Sequence, residues 1–139
     1  MSDLAAAVDP LGRAFVTWRE TQGATRRVLV AQAPVGGSFK VTRLATGSVI
    51  GRPVIAPRPD GGAAVAWPIP NGWQAATTPA AKFGRVAKVS AALSGDDREG
   101  AQAALIAGPG LRVELVWRQL GDIEPSTGPI VYASSDSGT

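Results

Sequence analysis

The chain contains no cysteine and no histidine among its 139 residues. Without cysteine there is neither a disulfide framework nor a thiolate ligand for a metal. Without histidine, an imidazole-built zinc site, a Ser-His-Asp triad and a histidine general base are excluded together. Aromatic residues are scarce, with four tryptophans, three phenylalanines and one tyrosine, so the position of each carries weight. No apolar run approaches the length needed to span a bilayer. The opening Met1-Ser2-Asp3-Leu4 lacks the basic and apolar regions of a signal peptide. Nothing in the residue set calls for a metal or an organic cofactor, and none is expected.

Turn-forming residues, by contrast, are abundant. The 17 glycines and 11 prolines make up about a fifth of the chain, a proportion suited to many short strands joined by tight turns. A hydrophobic content of 45% with 18% charged residues is that of a globular protein, long enough to bury one core. The net charge of +3 conceals a polarity along the chain. Residues 1–90 carry 11 Lys/Arg against 4 Asp/Glu, about +7, whereas residues 91–139 carry 3 against 7, about −4. A basic stretch attracts polyanions, but no nucleic-acid motif accompanies it, and nucleic acid is not expected as a partner.

Internal repetition organises the rest. Val8-Asp9-Pro10-Leu11-Gly12 leads to Trp18, Arg58-Pro59-Asp60-Gly61-Gly62 leads to Trp67, and Ala107-Gly108-Pro109-Gly110 leads to Trp117. The tryptophans recur 49 and then 50 residues apart. In each turn proline presets one φ and glycine supplies the conformation that follows. The run after each turn alternates: Ala14, Val16 and Trp18 share one face, as do Ala63, Val65 and Trp67, and Val113, Leu115 and Trp117. Period two is strand periodicity, and it predicts one buried, tryptophan-bearing face per copy.

Short apolar segments precede the turns, at Leu4 to Val8, Val54 to Ala56 and Gln102 to Ala107. A third strand is predicted at Arg27 to Ala31, Trp73 to Thr77 and Ile130 to Ala133, and a fourth at Phe39 to Leu44 and Phe83 to Val89. Thr78 to Ala92 is the one candidate helix, but Gly84 interrupts it and Val86 and Val89 favour strand. Four strands in about 50 residues is the size of one propeller blade. The reading is therefore all-β, a single repeat domain over 1–139. Its blade-like repeats are 1–50 and 51–95, with an incomplete one at 96–139; a β-trefoil or β-sandwich is the alternative.

The final residues Ser134-Ser135-Asp136-Ser137-Gly138-Thr139 resemble the Asp-box, Ser-x-Asp-x-Gly-x-x-Trp, of sialidase-like repeat propellers. Pro34-Val35-Gly36-Gly37-Ser38-Phe39 and Pro79-Ala80-Ala81-Lys82-Phe83 look like degenerate versions lacking the aspartate. The resemblance implies that Asp136 and Gly138 shape a turn between the third and fourth strands of a blade. It implies also that Phe39 and Phe83 take the aromatic position that packs beneath such a turn. In that family the motif is structural, so it implies no catalytic residue here. It further implies a ring of six or so blades, of which this chain would be a part. The missing neighbours would be further blades of the same protein, or further copies associating through exposed blade faces.

Other candidates carry less. Asp96, Asp97 and Glu99 offer carboxylates, but Arg98 lies among them and no calcium-loop spacing is present. Asp122 and Glu124 read as a solvated loop, and Tyr132 sits within a strand without a matched catalytic partner. Trp73, the one tryptophan outside the repeating position, is the candidate for an exposed indole that stacks on a carbohydrate. The functional expectation is a non-catalytic propeller segment for binding or scaffolding. The alternatives are a fragment of a sialidase-like glycoside hydrolase and an oligomerising lectin-like module.

Overall fold

The computed structural model describes residues 2–59, 61–70, 72–78, 87–88, 103–107, 112–118 and 130–136. Every regular element among them is a β-strand, and every pairing is antiparallel. Sheet one comprises β1 (Ser2–Val8), β2 (Ala14–Gln22), β3 (Thr25–Ala33) and β4 (Lys40–Gly47), hydrogen-bonded in that order. Sheet two repeats the meander with β5 (Val54–Pro57), β6 (Ala63–Ile69), β7 (Gly72–Thr78) and β8 (Ala87–Lys88). Sheet three orders β9 (Ala103–Ala107), β10 (Arg112–Arg118) and β11 (Ile130–Asp136), three strands among the described residues. Each sheet falls within one repeat of the sequence, and none lends a strand to another.

The tryptophans occupy the second strand of each sheet. Trp18 lies opposite Leu29, Trp67 opposite Gln74, and Trp117 between Ala103 and Val131. Trp67 is fully buried and its indole Nε1 donates to Gln74 Oε1 at 3.1 Å, so the polar end of the ring is satisfied within its own cross-strand pair. Pro68, on this central strand, is tolerated because the β5 ladder ends at the Val54–Ala66 pair. Beyond that pair the Pro68 carbonyl accepts from Gly51 N at 3.0 Å.

The sheets stack in chain order. The first strands come together, β5 lying against both β1 and β9. Phe15, Val28, Val30 and Ile50 pack against Ala63, Val65, Trp67 and Ala76, joining sheet one to sheet two. Ala66, Trp73 and Ala75 pack against Leu115 and the flanking Ala103 and Leu105, joining sheet two to sheet three. Sheet two is therefore covered on both faces, and Ala63 through Trp67 are all fully buried. Small side chains on alternate positions let the flanking sheets approach closely on both sides.

This stacking corrects the expected polarity of the first repeat. The covered face of β2 is that of Phe15 and Thr17, while Ala14, Val16 and Trp18 are only half-buried. The alternation is as predicted, but the neighbouring sheet lies on the other side. Thr17 tolerates full burial because its Oγ1 donates to the Leu29 carbonyl at 2.8 Å. In sheets two and three the tryptophan side of the strand faces the preceding sheet, whereas Val16 and Trp18 of sheet one belong to neither buried cluster.

Truncating the two tryptophans separates these environments. Trp67→Ala should lower the unfolding free energy by about 3–5 kcal/mol, the range for removing a large buried ring. Trp18→Ala should cost less than half as much, as read by urea denaturation of dilute protein. Equal losses would place Trp18 in the core.

Candidate functional site

The first hairpin turn is built on a buried carboxylate. Asp9 Oδ1 accepts from the backbone N–H of Leu11 at 2.8 Å and of Arg13 at 2.9 Å, and Oδ2 accepts from Arg13 Nε at 2.6 Å. The backbone closes around it, with Gly12 N donating to Asp9 O at 2.9 Å and Asp9 N to Arg13 O at 3.0 Å. Burial raises the Asp9 carboxyl pKa. The Arg13 amide and side chain and the Leu11 amide outweigh that effect, so it lies below the ordinary carboxylate value.

The second hairpin turn repeats the backbone pattern with a different side chain. Gly61 N donates to Arg58 O at 3.1 Å and Arg58 N to Gly62 O at 2.8 Å, so Arg58 stands where Asp9 stands in the first copy. Arg58 is fully buried. The two turns touch. A Cβ on Gly61 would collide with Arg13 Nη2 and lie 2.7 Å from Leu11 Cδ1, and Gly61 has φ +85°. Gly12, its counterpart, has φ +81°. Both positions require a left-handed conformation that side chains resist.

Beside these turns, at the same end of sheet one, opens a cavity of about 450 Å³. Arg13, Phe15, Gln32, Ser38 and Lys40 line it. Phe15 and Gln32 are cross-strand partners, and so are Gln32 and Lys40, which places them on one face. The lining sets Lys40, Gln32 and Ser38 around the Phe15 ring, beside an Arg13 whose guanidinium is already paired with Asp9, a mixture suited to a small hydroxylated or anionic molecule. Among the described residues no carboxylate lines it.

A second polar cluster ties the sheets at the opposite end. Asp3 bridges Arg19 Nη2 at 2.6 Å and Arg52 Nε at 2.9 Å, and Arg19 Nη1 donates to the Ile50 carbonyl at 3.1 Å. Asp3 has φ +56° at a register shift in β1, a costly conformation for a non-glycine residue that these partners hold in place. The connection between sheets one and two is thereby fastened to the first hairpin.

The residues singled out from the sequence fall differently. Trp73 is fully buried against Ala66, Ala75 and Leu115, which overturns the exposed-indole reading: a sugar ring finds no aromatic face there. Its position at the start of β7 turns it inward, toward the third sheet. Phe39 is 55% exposed and does not pack beneath the Pro34–Gly37 turn, which closes through Gly37 N donating to Pro34 O at 2.9 Å. Glycine and proline alone suffice to close that turn, so no aromatic support is needed. Asp136 is the last residue of β11, opposite Arg112, so the strand continues through it. Phe83 and Gly138, like Asp96, Asp97, Glu99, Asp122 and Glu124, lie outside the described residues. The buried roles of Asp9 and Arg58 were missed. Aspartate just before Pro-x-Gly-Arg was the available signal for Asp9, because an aspartate in that position can accept from the amides that follow.

Comparison of the chain with protein-family models, with curated proteins and with solved structures finds no match.

Asp9→Ala should cost about 1.5–3 kcal/mol at neutral pH, the range for hydrogen bonds to a buried charge. Asp9→Asn, which retains an amide acceptor, should cost less. Because the folded pKa of Asp9 is lowered, its contribution is full above the unfolded value of about 3.9 and is lost as pH falls through the folded value. Denaturant melts of wild type and Asp9→Ala should therefore converge in acid. A gap that persists unchanged would remove the carboxylate from the account.

Proposed function

We propose that this chain is a non-catalytic segment of a sialidase-like β-propeller that serves binding or scaffolding. The observation that carries the reading is the order of the stack. Three antiparallel meanders follow one another along the chain with their first strands together, and the tryptophan side of sheets two and three is turned toward the preceding sheet. Radial repetition of four-stranded sheets about a shared axis is the propeller arrangement. Separate sheets, one per repeat, favour it over a single shared barrel or sandwich.

Within this reading the buried aspartate turn and the Asp3–Arg19–Arg52 cluster are architectural. They fix the ends of neighbouring sheets so that the faces between them remain in register. The cavity beside Arg13 and Lys40 is the place where such a scaffold would hold a small ligand, and a carbohydrate bearing an acid group matches its lining.

Two measurements test the proposal. A crystal structure should relate successive sheets by one common rotation about a single axis; sheets related by translation alone would reject the propeller. Incubation with aryl glycosides, an aryl sialoside included, should release no phenol above the uncatalysed rate. Turnover by the purified chain would reject the non-catalytic assignment.

A further inference from the structure

We infer that an extended acidic peptide adds to sheet one as a further strand alongside β4, bringing a carboxylate to Lys40 at the wall of the cavity. The inference rests on the proposed binding role and deepens it by naming the partner. Of the two edges of sheet one, β4 is the one open to pairing. Among the described strands it hydrogen-bonds to β3 alone. Its first half runs in unbroken register, Lys40 to Arg43 lying opposite Gln32 to Leu29. Such an edge turns alternate backbone N–H and C=O groups outward, and an added strand uses them as its template. The opposite edge is unsuited to this. There β1 shifts register between Ser2 and Ala5, Asp3 has φ +56°, and β5 lies against the strand.

Register fixes what each position of the added strand meets. The row Phe15–Gln32–Lys40 crosses the sheet along the cavity wall, so a residue opposite Lys40 extends that row on the cavity side. The row Val16–Ala31–Val41 lies on the other face and ends on a valine that is 55% exposed. The row Trp18–Leu29–Arg43 shares that face and ends on an exposed cation. Lys40 is exposed as well. Directly opposed cross-strand pairs are favourable when their charges are opposite, or when branched apolar side chains meet. The peptide therefore places acids opposite Lys40 and Arg43 and a branched apolar residue opposite Val41. Added antiparallel, like every other strand of the sheet, it reads acid, polar, valine, acid from its N-terminus.

Charge selects this occupant. Strands β3 and β4 contain Arg26, Arg27, Lys40 and Arg43 and no acidic residue. Of these, Arg27 is matched by Glu20 of β2 at 3.5 Å. Two copies of this edge repel one another, so the cations that oppose self-pairing are the ones an acidic strand meets. A carboxylate on a small ligand also suits the cavity beside Lys40. The open edge assigns that carboxylate to a peptide, because a peptide engages the β4 backbone and Arg43 at the same time.

Fluorescence polarisation tests this with the full chain and a labelled, end-capped peptide carrying Glu-Thr-Val-Glu at its centre. Capping removes the terminal charges, and low salt keeps the side-chain charges unscreened. Saturable binding is expected. Lys40→Glu combined with Arg43→Glu, both at exposed positions, should weaken it by about tenfold, as two cross-strand attractions become repulsions. A Lys-Thr-Val-Lys peptide should then prefer the double variant. Should that variant lose its far-ultraviolet strand signal, Lys40→Gln and Arg43→Gln provide milder substitutions. N-methylation of alternate peptide amides separates strand addition from plain charge attraction: one set should abolish binding and the other should not. Binding that survives both sets, or that a scrambled peptide of the same composition equals, would overturn the inference. So would a peptide that does not bind, including the case in which glucuronate binds in its place. Failure of the propeller reading shows separately, in the rotation between successive sheets, because sheet one alone supplies this edge.

Discussion

The structure depends on one constraint: β6, the central strand of its middle sheet, has no polar face. Ala63 to Trp67 are buried in unbroken succession, so both sides of β6 must be removed from water. A sheet of that kind cannot persist alone, and it is stable only between two others. Burial of apolar area on both faces is what assembles the three meanders, and hydrogen bonding within each meander merely shapes the pieces. The two buried aromatic rings of this sheet divide the labour. Trp67 is directed into the contact with sheet one and Trp73 into the contact with sheet three.

Polar interactions then set how the pieces meet. Apolar packing is indifferent to small sliding movements, whereas a carboxylate holding three donors is not. Asp9 fixes the first hairpin turn, whose Leu11 and Arg13 lie against Gly61 of the second. At the other end Asp3 joins Arg19 and Arg52, and Arg19 holds the Ile50 carbonyl of the connecting segment. The cavity lined by Arg13 and Lys40 opens beside the place where the first turn, at Gly12, meets Val35 of the β3–β4 connection. Site and scaffold are therefore parts of one arrangement.

Much of the fold was legible from period-two alternation and turn chemistry. The tryptophan spacing marked the repeats, and Pro–Gly turns marked the boundaries of β1, β2, β5 and β6. The site was far less legible. Trp73, outside the repeating position, reads as an exposed indole, yet it lies in the core, because sheet three covers that end of β7. Phe39 looked like a packed aromatic and is exposed, because the turn before it closes through its own backbone. Alternation and turn chemistry do not mark Arg58, which is fully buried because the turn it opens is pressed against the first.

The sequence by itself determined the local events: where strands run, where they turn, and which residues alternate together. These depend on steric and hydrogen-bonding preferences within a few residues, which composition and spacing record directly. Only the tertiary structure decided which of two alternating faces is covered. Phe15 and Thr17 won over Val16 and Trp18 in sheet one, although their strand is patterned like its counterparts. Alternation specifies two faces, but coverage depends on a neighbour, and the neighbour's position comes from sheet-to-sheet packing that no single strand encodes.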